Sequence, residues 1–316
     1  MTIQRPHCHV STRQAARHVL TLLGLSLLLP LVTPAQEDSR RVRLSAPAQR
    51  VALVIGNSQY VHAPLHNPGN DAEAMARALQ QVGFVVTLLK DANHATIEGA
   101  VETFSQQLSS HSVGLFYFSG HGMQIHGRNY LLPVGAAITA EADVKYRAVP
   151  ADWVQERMEA RGNALNMLIL DACRAHPLPR QWRSGQQGLA PMQAGLGADT
   201  LIAFATQPGQ VEADGRQDEQ PSPFTGHLLR QLPVPGLGGR EVLLRVGAAV
   251  VQETGGKQRP QEWDSRTQEF RFVEAVAVPA TGPQVAVGGY PPSSSPEPSK
   301  TLQNSIGMDF VLIPAG

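Results

Sequence analysis

The sequence contains little cysteine, since only Cys8 and Cys173 occur among its 316 residues. It also lacks any run of five like charges, and its 26 acidic residues balance its 26 basic residues. Nucleic acids and anionic membrane surfaces are bound through clustered positive charge, so the sequence indicates neither partner. Hydrophobic residues make up 42% of the chain, which is enough for a buried core and argues against a disordered or fibrous protein.

The longest apolar stretch lies near the N-terminus and is too short for a typical membrane span, which needs about 18 residues or more. A segment with Arg5, Arg13 and Arg17 precedes "VLTLLGLSLLLPLV", and the small residues Thr33 and Ala35 follow it at the spacing of a cleavage site. This order is typical of a secretory signal peptide. We therefore expect a signal peptide over residues 1–35 and an exported, periplasmic or secreted protein without stable membrane insertion after cleavage. An uncleaved anchor is the alternative.

Removal of that peptide would leave Cys173 as the single cysteine of the mature chain. Exported proteins meet an oxidising compartment, where cysteines usually occur in disulfide pairs. The presence of an unpaired cysteine therefore needs another explanation. It is either a small buried hydrophobic residue or a reactive thiol.

Beyond a polar lead-in over residues 36–49, short apolar runs alternate with amphipathic stretches. The runs read "RVALVIGN", "FVVTLL", "VGLFYFSG", "NMLILDA" and "TLIAFAT", with "EFRFV" predicted as a last strand. Helices are predicted between them, the first capped by Asn70 and others over about 94–108, 152–160, 224–232 and 241–251. This alternation predicts an α/β fold with a mostly parallel sheet covered on both faces. Residues 275–300 are rich in Pro, Gly and Ser, which is typical of a linker.

Functional residues of parallel sheets gather at the carboxyl ends of the strands, where His121 and Cys173 follow two of the apolar runs. We expect the His121 ring to be exposed between glycines, where it can take a proton from a thiol. The alternative is a purely structural role, in which His121 caps a turn and Cys173 is a buried core residue. A zinc site of His121, His126 and Cys173 is a weaker hypothesis, because no second cysteine completes it.

An ordered set of motifs adds to this interpretation. They are "RVALVIGNSQY", "LHNPGNDAEAMARAL", "FYFSGHG", "NYLLPVGA", "ILDACR" and "ATQPGQVEADG…SPFT". In this order they resemble the caspase-like cysteine peptidases, specifically the bacterial metacaspase-like branch, over residues 50–274. The resemblance implies a caspase-like αβα sandwich around a mostly parallel six-stranded sheet, and a Cys–His dyad that hydrolyses peptide bonds. It implies Cys173 as nucleophile, His121 as general base, and the backbone amides of Gly122 and Cys173 as the oxyanion hole.

The same resemblance implies that no metal or other cofactor takes part in the bond-breaking step. Some metacaspases are activated by calcium, and the sequence indicates no calcium site. Protein or peptide substrates are the expected partners, and no oligomeric state is predicted.

Charge indicates the substrate class. Val51 to Ala76 contains no Arg or Lys, whereas caspases bind aspartate with cations in this region. Asp171 stands two residues before the cysteine, and an acid at the base of a pocket favours a cationic side chain. We therefore predict cleavage after Arg or Lys, with Asp214 and then Asp143 as weaker substrate-binding candidates. The alternative is that Asp171 only braces the strand end or the nearby loop.

The segment after Cys173 departs from the usual metacaspase pattern. His176 is an additional imidazole for which the sequence suggests no role. Arg180 and Arg183 lie in a loop rich in Gly, Pro and Gln. In caspases the corresponding segment is cut during maturation, so self-cleavage after Arg180 or Arg183 is a hypothesis, with an uncleaved loop as the alternative.

The last residues, 301–316, resemble the opening of the domain shared by formylglycine-generating enzymes and sulfatase-modifying factors. The resemblance implies a fragment of such a domain, too short to fold alone. It also supports the alternative to an enzyme, which is a non-catalytic caspase-like interaction module in a longer multidomain protein. Retention of both Cys173 and His121 favours the enzyme.

Overall fold

A central sheet organises the chain in a computed structural model that describes residues 49–173, 188–193, 195, 199–207 and 221–275, and the backbone of 301–303 and 309–311. The strands are β1 (Arg50–Gly56), β2 (Val85–Lys90), β3 (Val113–Ile125), β4 (Arg128–Leu131), β5 (Val149–Pro150), β6 (Leu165–Cys173), β7 (Thr200–Phe204) and β8 (Gln261–Asp264). The helices are α1 (Pro68–Gln81), α2 (His94–Gln106), α3 (Glu141–Arg147), α4 (Ala151–Glu159), α5 (Pro223–Gln231) and α6 (Gly239–Glu253).

The main path of the sheet contains six strands in the order β2-β1-β3-β6-β7-β8. The pairs from β2 to β7 are parallel, and only β8 runs antiparallel to its neighbour β7. Beyond this path, the end of β3 turns back as a hairpin with β4, and β4 pairs with β5. The predicted α/β fold, a caspase-like αβα sandwich around a mostly parallel six-stranded sheet, is confirmed.

Two apolar layers cover the sheet because successive side chains of a strand point to opposite faces. In β3, Leu115 and Tyr117 belong to a core shared with α1, α5 and α6. Phe116 and Phe118 belong to the other core, shared with α2 and α4. All four side chains are fully buried. This two-sided burial explains why the β3 segment is a continuous apolar run instead of an alternating one.

The first helix begins earlier than its sequence indicates. Asn70 was predicted as the cap, but α1 begins at Pro68 and Asn67 occupies the cap position, where its side chain does not cap the helix. Proline suits the first turn because its φ angle is already helical and its missing N–H needs no partner there. The helix stops before Gly83, whose φ of +87° suits the turn that follows.

The prediction that "EFRFV" forms the last strand is wrong. Within this segment Arg271 makes one isolated bridge, to Gly238. Phe270 and Phe272 instead pack edge to face with ring centroids 5.0 Å apart, and Phe272 is buried against the core. The last strand of the main sheet is β8, which lies at the edge, pairs with β7 as its one partner among the described strands, and is mostly half-buried. An edge position tolerates its polar sequence, "QEWD", so no apolar run marks it.

The ends of the chain are described only in part. Residues 301–303 and 309–311 form two short antiparallel strands, β9 (Thr301–Gln303) and β10 (Asp309–Val311). The predicted signal peptide lies outside the described residues, as do nearly all of the predicted lead-in and linker. These boundaries, the export and the resemblance of residues 301–316 stay predictions. Of the helices that the structure describes, none has the length and apolar character to span a bilayer.

Candidate active site

His121 and Cys173 are adjacent positions on neighbouring strands. Parallel pairing of β3 with β6 sets Ser119 beside Asp171, Gly120 beside Ala172 and His121 beside Cys173. The two residues are 52 positions apart in the chain, so only the long crossover through α3 and α4 brings their backbones together. The sheet thus joins the two residues that the sequence predicted as a dyad.

The His121 ring is buried, and the expectation of an exposed ring is wrong. The residue has 0% of its surface exposed, because β3 continues past it into the hairpin with β4 and the Tyr60 ring packs on it at 4.4 Å. The Tyr60 hydroxyl also accepts the His121 backbone N–H at 3.0 Å and donates to Leu132 O at 3.0 Å. Through these contacts Tyr60 fixes both the backbone and the ring of His121.

The hydrogen bond to Ala63 determines the tautomer of a neutral His121 ring. Its Nε2 lies 2.6 Å from the backbone oxygen of Ala63, and a carbonyl can only accept a hydrogen bond. Nε2 therefore carries the proton, and Nδ1 is the ring nitrogen with a lone pair for a further proton. Ala63 has a φ of +56°, an uncommon conformation for a residue other than glycine.

Glycines flank His121 at positions where a side chain would collide with its neighbours. A Cβ on Gly122 would lie 2.9 Å from the Ala172 Cβ and 3.1 Å from a Leu189 methyl group. A Cβ on Gly120 would lie 2.6 Å from the Tyr60 hydroxyl, and its φ of +156° disfavours other residues. The backbone around His121 is therefore packed too closely for residues larger than glycine.

Asp171 lies in a buried cluster of hydroxyl groups. The residue is 2% exposed, and its Oδ2 accepts hydrogen bonds from Ser222 Oγ at 2.6 Å and from Thr225 Oγ1. The Tyr117 hydroxyl lies 2.7 Å from Thr225 Oγ1 and 3.4 Å from the same carboxylate oxygen. Burial raises the pKa of Tyr117 well above its ordinary value, and the carboxylates of Asp171 and Asp71 raise it further. Tyr117 therefore stays a neutral hydroxyl.

Asp71 is a second buried acid of this cluster and was not among the site residues predicted from the sequence. It is 1% exposed and its Oδ1 accepts the backbone N–H of Ser222 at 3.1 Å. Ser222 thus links the two carboxylates, through its amide to Asp71 and through its hydroxyl to Asp171. One sequence signal was present, since Asp71 stands four residues before Met75 and so lies on the buried face of α1.

Asp143, the other substrate-binding candidate that the structure describes, forms its hydrogen bonds outside this cluster. Asp143 accepts hydrogen bonds from Thr139 and from Ala140 N, which stabilises the first turn of α3. Bonds from the Thr139 and Ala140 amides and the Thr139 hydroxyl hold the pKa of Asp143 below its usual value. Asp214, His176, Arg180 and Arg183 lie outside the described residues.

The zinc hypothesis gains no support from the described part of the chain. His126 is exposed and contacts Glu141 at 3.3 Å. Among the described residues, no group of three His, Cys, Asp or Glu side chains is arranged to hold a metal ion.

Residues 188–193 dock beside the His121 hairpin. Asn129 of β4 forms two hydrogen bonds with the Ala190 backbone, donating to its oxygen at 2.7 Å and accepting its N–H at 2.6 Å. Gln155 of α4 donates to Gln193 O at 2.8 Å. Leu189 is buried, and one of its methyl groups occupies the space that a Cβ on Gly122 would need.

Comparison with known proteins agrees with the fold and the ordered motifs. The chain belongs to the caspase domain family, whose profile matches residues 49–271. Mucosa-associated lymphoid tissue lymphoma translocation protein 1 of Homo sapiens is 33% identical over 129 residues, which is 40% of this chain and 15% of the human protein. Its Mus musculus homolog matches to the same extent, 33% over 129 residues. The match therefore spans a small part of either relative.

A solved structure supports the fold alone. Protein GSU0716 from Geobacter sulfurreducens superposes with a TM-score of 0.55 at 18% identity, covering 72% of this chain and 100% of that one.

Proposed function

We propose that this member of the caspase domain family is a cysteine endopeptidase that hydrolyses peptide bonds after Arg or Lys, with Cys173 as nucleophile and His121 as general base. The observation that carries the proposal is the pairing of these two positions on β3 and β6. The bond from His121 Nε2 to Ala63 O supports the role of His121, because it leaves Nδ1 as the basic nitrogen.

The proposed reaction needs only these two side chains, backbone amides and water. His121 Nδ1 takes the thiol proton, and the thiolate of Cys173 forms a bond to the substrate carbonyl carbon. The amides of Gly122 and Cys173 donate to the resulting oxyanion. The C–N bond then breaks as His121 returns its proton to the leaving amine. Water, deprotonated by His121, hydrolyses the thioester and regenerates the thiol.

The two buried acids support the preference for a cation. Asp71 on α1 and Asp171 on β6 are joined through Ser222, and their carboxylates would attract a guanidinium or ammonium group. Such a cation would also compensate the cost of keeping two carboxylates away from water. A preference for aspartate would need a cation here, and the segment Val51–Ala76 contains no Arg or Lys.

The test uses internally quenched peptides that differ only in the residue before the scissile bond, which is Arg, Lys or Asp. We expect cleavage of the Arg and Lys peptides by the wild type and none by Cys173→Ala, each measured with and without calcium. Cleavage only after Asp would contradict the pocket. If no peptide were cleaved in a Cys173-dependent way, the alternative of a non-catalytic interaction module would replace the enzyme.

A further inference from the structure

An apolar cavity of about 280 Å³ lies beside the candidate active site. Its walls come from the loop after β1, with Tyr60, Val61 and His62, and from the segment after β4, with Leu132, Ala136 and Thr139. The Tyr60 ring that packs on His121 at 4.4 Å is one of these walls. The cavity is therefore separated from the imidazole by no more than one layer of side chains.

The cavity lies on the β1 side of His121, opposite to the strand that carries Asp171. The sheet order sets β1 and β6 on opposite sides of β3, which carries His121. Asp171 is on β6, whereas Tyr60, Val61 and His62 follow β1. A peptide that places its basic side chain at Asp171 and its scissile bond at His121 would continue toward the loop after β1.

We infer that this cavity binds an apolar side chain of the substrate within the first two residues after the scissile bond. The inference rests on the proposed endopeptidase activity. It follows from the chemistry of the leaving group, because the nitrogen that His121 protonates belongs to the first residue after the scissile bond. A residue of extended chain spans about 3.3–3.6 Å, and the Tyr60 ring at the cavity wall lies 4.4 Å from the His121 ring, so two residues are long enough to reach the cavity.

The lining of the cavity selects an uncharged, apolar side chain. Among its ten lining residues, all in the described part of the chain, none is Asp, Glu, Lys or Arg. A charged side chain would lose water here without gaining an opposite charge. Val61 is 81% exposed at the cavity, an unusual exposure for a large aliphatic residue, and a bound apolar side chain would cover it.

The experiment keeps Arg before the scissile bond and varies the two positions after it, one at a time, among Gly, Leu, Met and Asp. For wild-type enzyme we expect kcat/KM to be at least about tenfold higher with Leu or Met than with Gly or Asp at one of these positions. Ala136→Phe fills the cavity and should reduce the ratio of Leu to Gly toward one. Val61→Ala removes apolar surface without overpacking and should reduce the same ratio.

Ala164→Phe is the matched control, because Ala164 is exposed just before β6, at the end of that strand remote from Cys173, and the ratio should stay at its wild-type value. Equal rates for all eight peptides, with cleavage still dependent on Cys173, would overturn this inference and leave the proposed activity intact. Wild-type selectivity that neither Ala136→Phe nor Val61→Ala changes would also overturn it. Absence of any Cys173-dependent cleavage would overturn both proposals.

Discussion

The imidazole of His121 is held by the main chain of Ala63, whose oxygen lies 2.6 Å from Nε2. This one bond gives the ring a donor side and an acceptor side before any substrate arrives. Because the partner is a backbone atom, it does not depend on the identity of the side chain at position 63. A general base needs this kind of fixed orientation, since proton transfer requires the lone pair to be aimed at the thiol.

Tyr60→Phe tests whether the support of His121 matters. The change removes the hydroxyl that accepts the His121 N–H at 3.0 Å, and we expect the free energy of unfolding to fall by about 1–2 kcal/mol. The looser ring should also lower kcat by roughly tenfold, since small displacements of catalytic groups are costly. Thermal melts and peptide hydrolysis measure the two effects. The control is Tyr146→Phe, at a mostly exposed tyrosine, which should change neither quantity. An unaltered kcat in Tyr60→Phe would show that the Tyr60 hydroxyl does not position His121.

Asp171→Asn separates recognition of a cation from bracing of the fold. The matched substrates carry Arg or its neutral isostere citrulline before the scissile bond. Loss of a charge-assisted hydrogen bond should lower the Arg-to-citrulline ratio of kcat/KM by about ten- to a hundredfold. Asp71→Asn should lower the ratio in the same direction, whereas Asp143→Asn at the start of α3 should not. A falling rate with an unchanged ratio would mean that Asp171 only braces the Ser222 and Thr225 hydroxyls.

Gly122→Ala tests the close packing beneath the proposed oxyanion site. The new methyl group would lie 2.9 Å from the Ala172 Cβ, which is fixed to the backbone and cannot turn away. We expect the displaced Gly122 amide to cost about a hundredfold in kcat. Gly99→Ala is the control, because apart from its chain neighbours and its own helix backbone no atom lies within 4 Å of the new methyl group. That exposed helical position should gain about 0.5–1 kcal/mol of stability, and equal kcat values for the two variants would refute the packing argument.

After cleavage at Arg180 or Arg183, the two fragments should remain associated as a single species. The segment after the cut stays attached by the two Asn129–Ala190 hydrogen bonds and by the pairing of β7 with β6. Denaturing gels of the wild type should show two bands and size-exclusion chromatography a single species. Cys173→Ala and a variant with both arginines changed to Gln should each give one band. Identical band patterns for wild type and Cys173→Ala would exclude self-cleavage, and separated fragments would contradict the docking.

The apolar strands were predictable because burial on both faces leaves a continuous signal. β1, β3, β6 and β7 each read as such a run. β8 carries no comparable signal, since an edge strand pairs on one side only and tolerates polar residues. In the wrongly predicted segment, Phe270 and Phe272 alternate as they would in a strand. The backbone oxygens of Arg271 and Phe272, however, accept hydrogen bonds from the Arg50 guanidinium of β1 instead of from a neighbouring strand.

The proximity of His121 and Cys173 could be predicted, because both residues lie at the ends of strands. His121 and Cys173 follow apolar runs, and strand order makes such ends neighbours. The burial of His121 was not predictable, because it depends on Tyr60, 61 residues earlier. The spacing of Asp71 from Met75 indicated burial on α1, but its link to the site runs through Ser222, 151 residues later, and could not be predicted. Contacts of this range follow from the completed fold and leave no local pattern.

The most direct test of the central claim is covalent labelling with a peptidyl-arginyl chloromethyl ketone, read by peptide mapping in the mass spectrometer. The Cys173 thiolate should displace chloride and carry the added mass, with no label in Cys173→Ala and strongly slowed labelling in His121→Ala. The aspartyl analogue should label slowly or not at all. Absence of label on Cys173, or equal labelling by both reagents and in His121→Ala, would contradict a His121-activated nucleophile that selects basic residues.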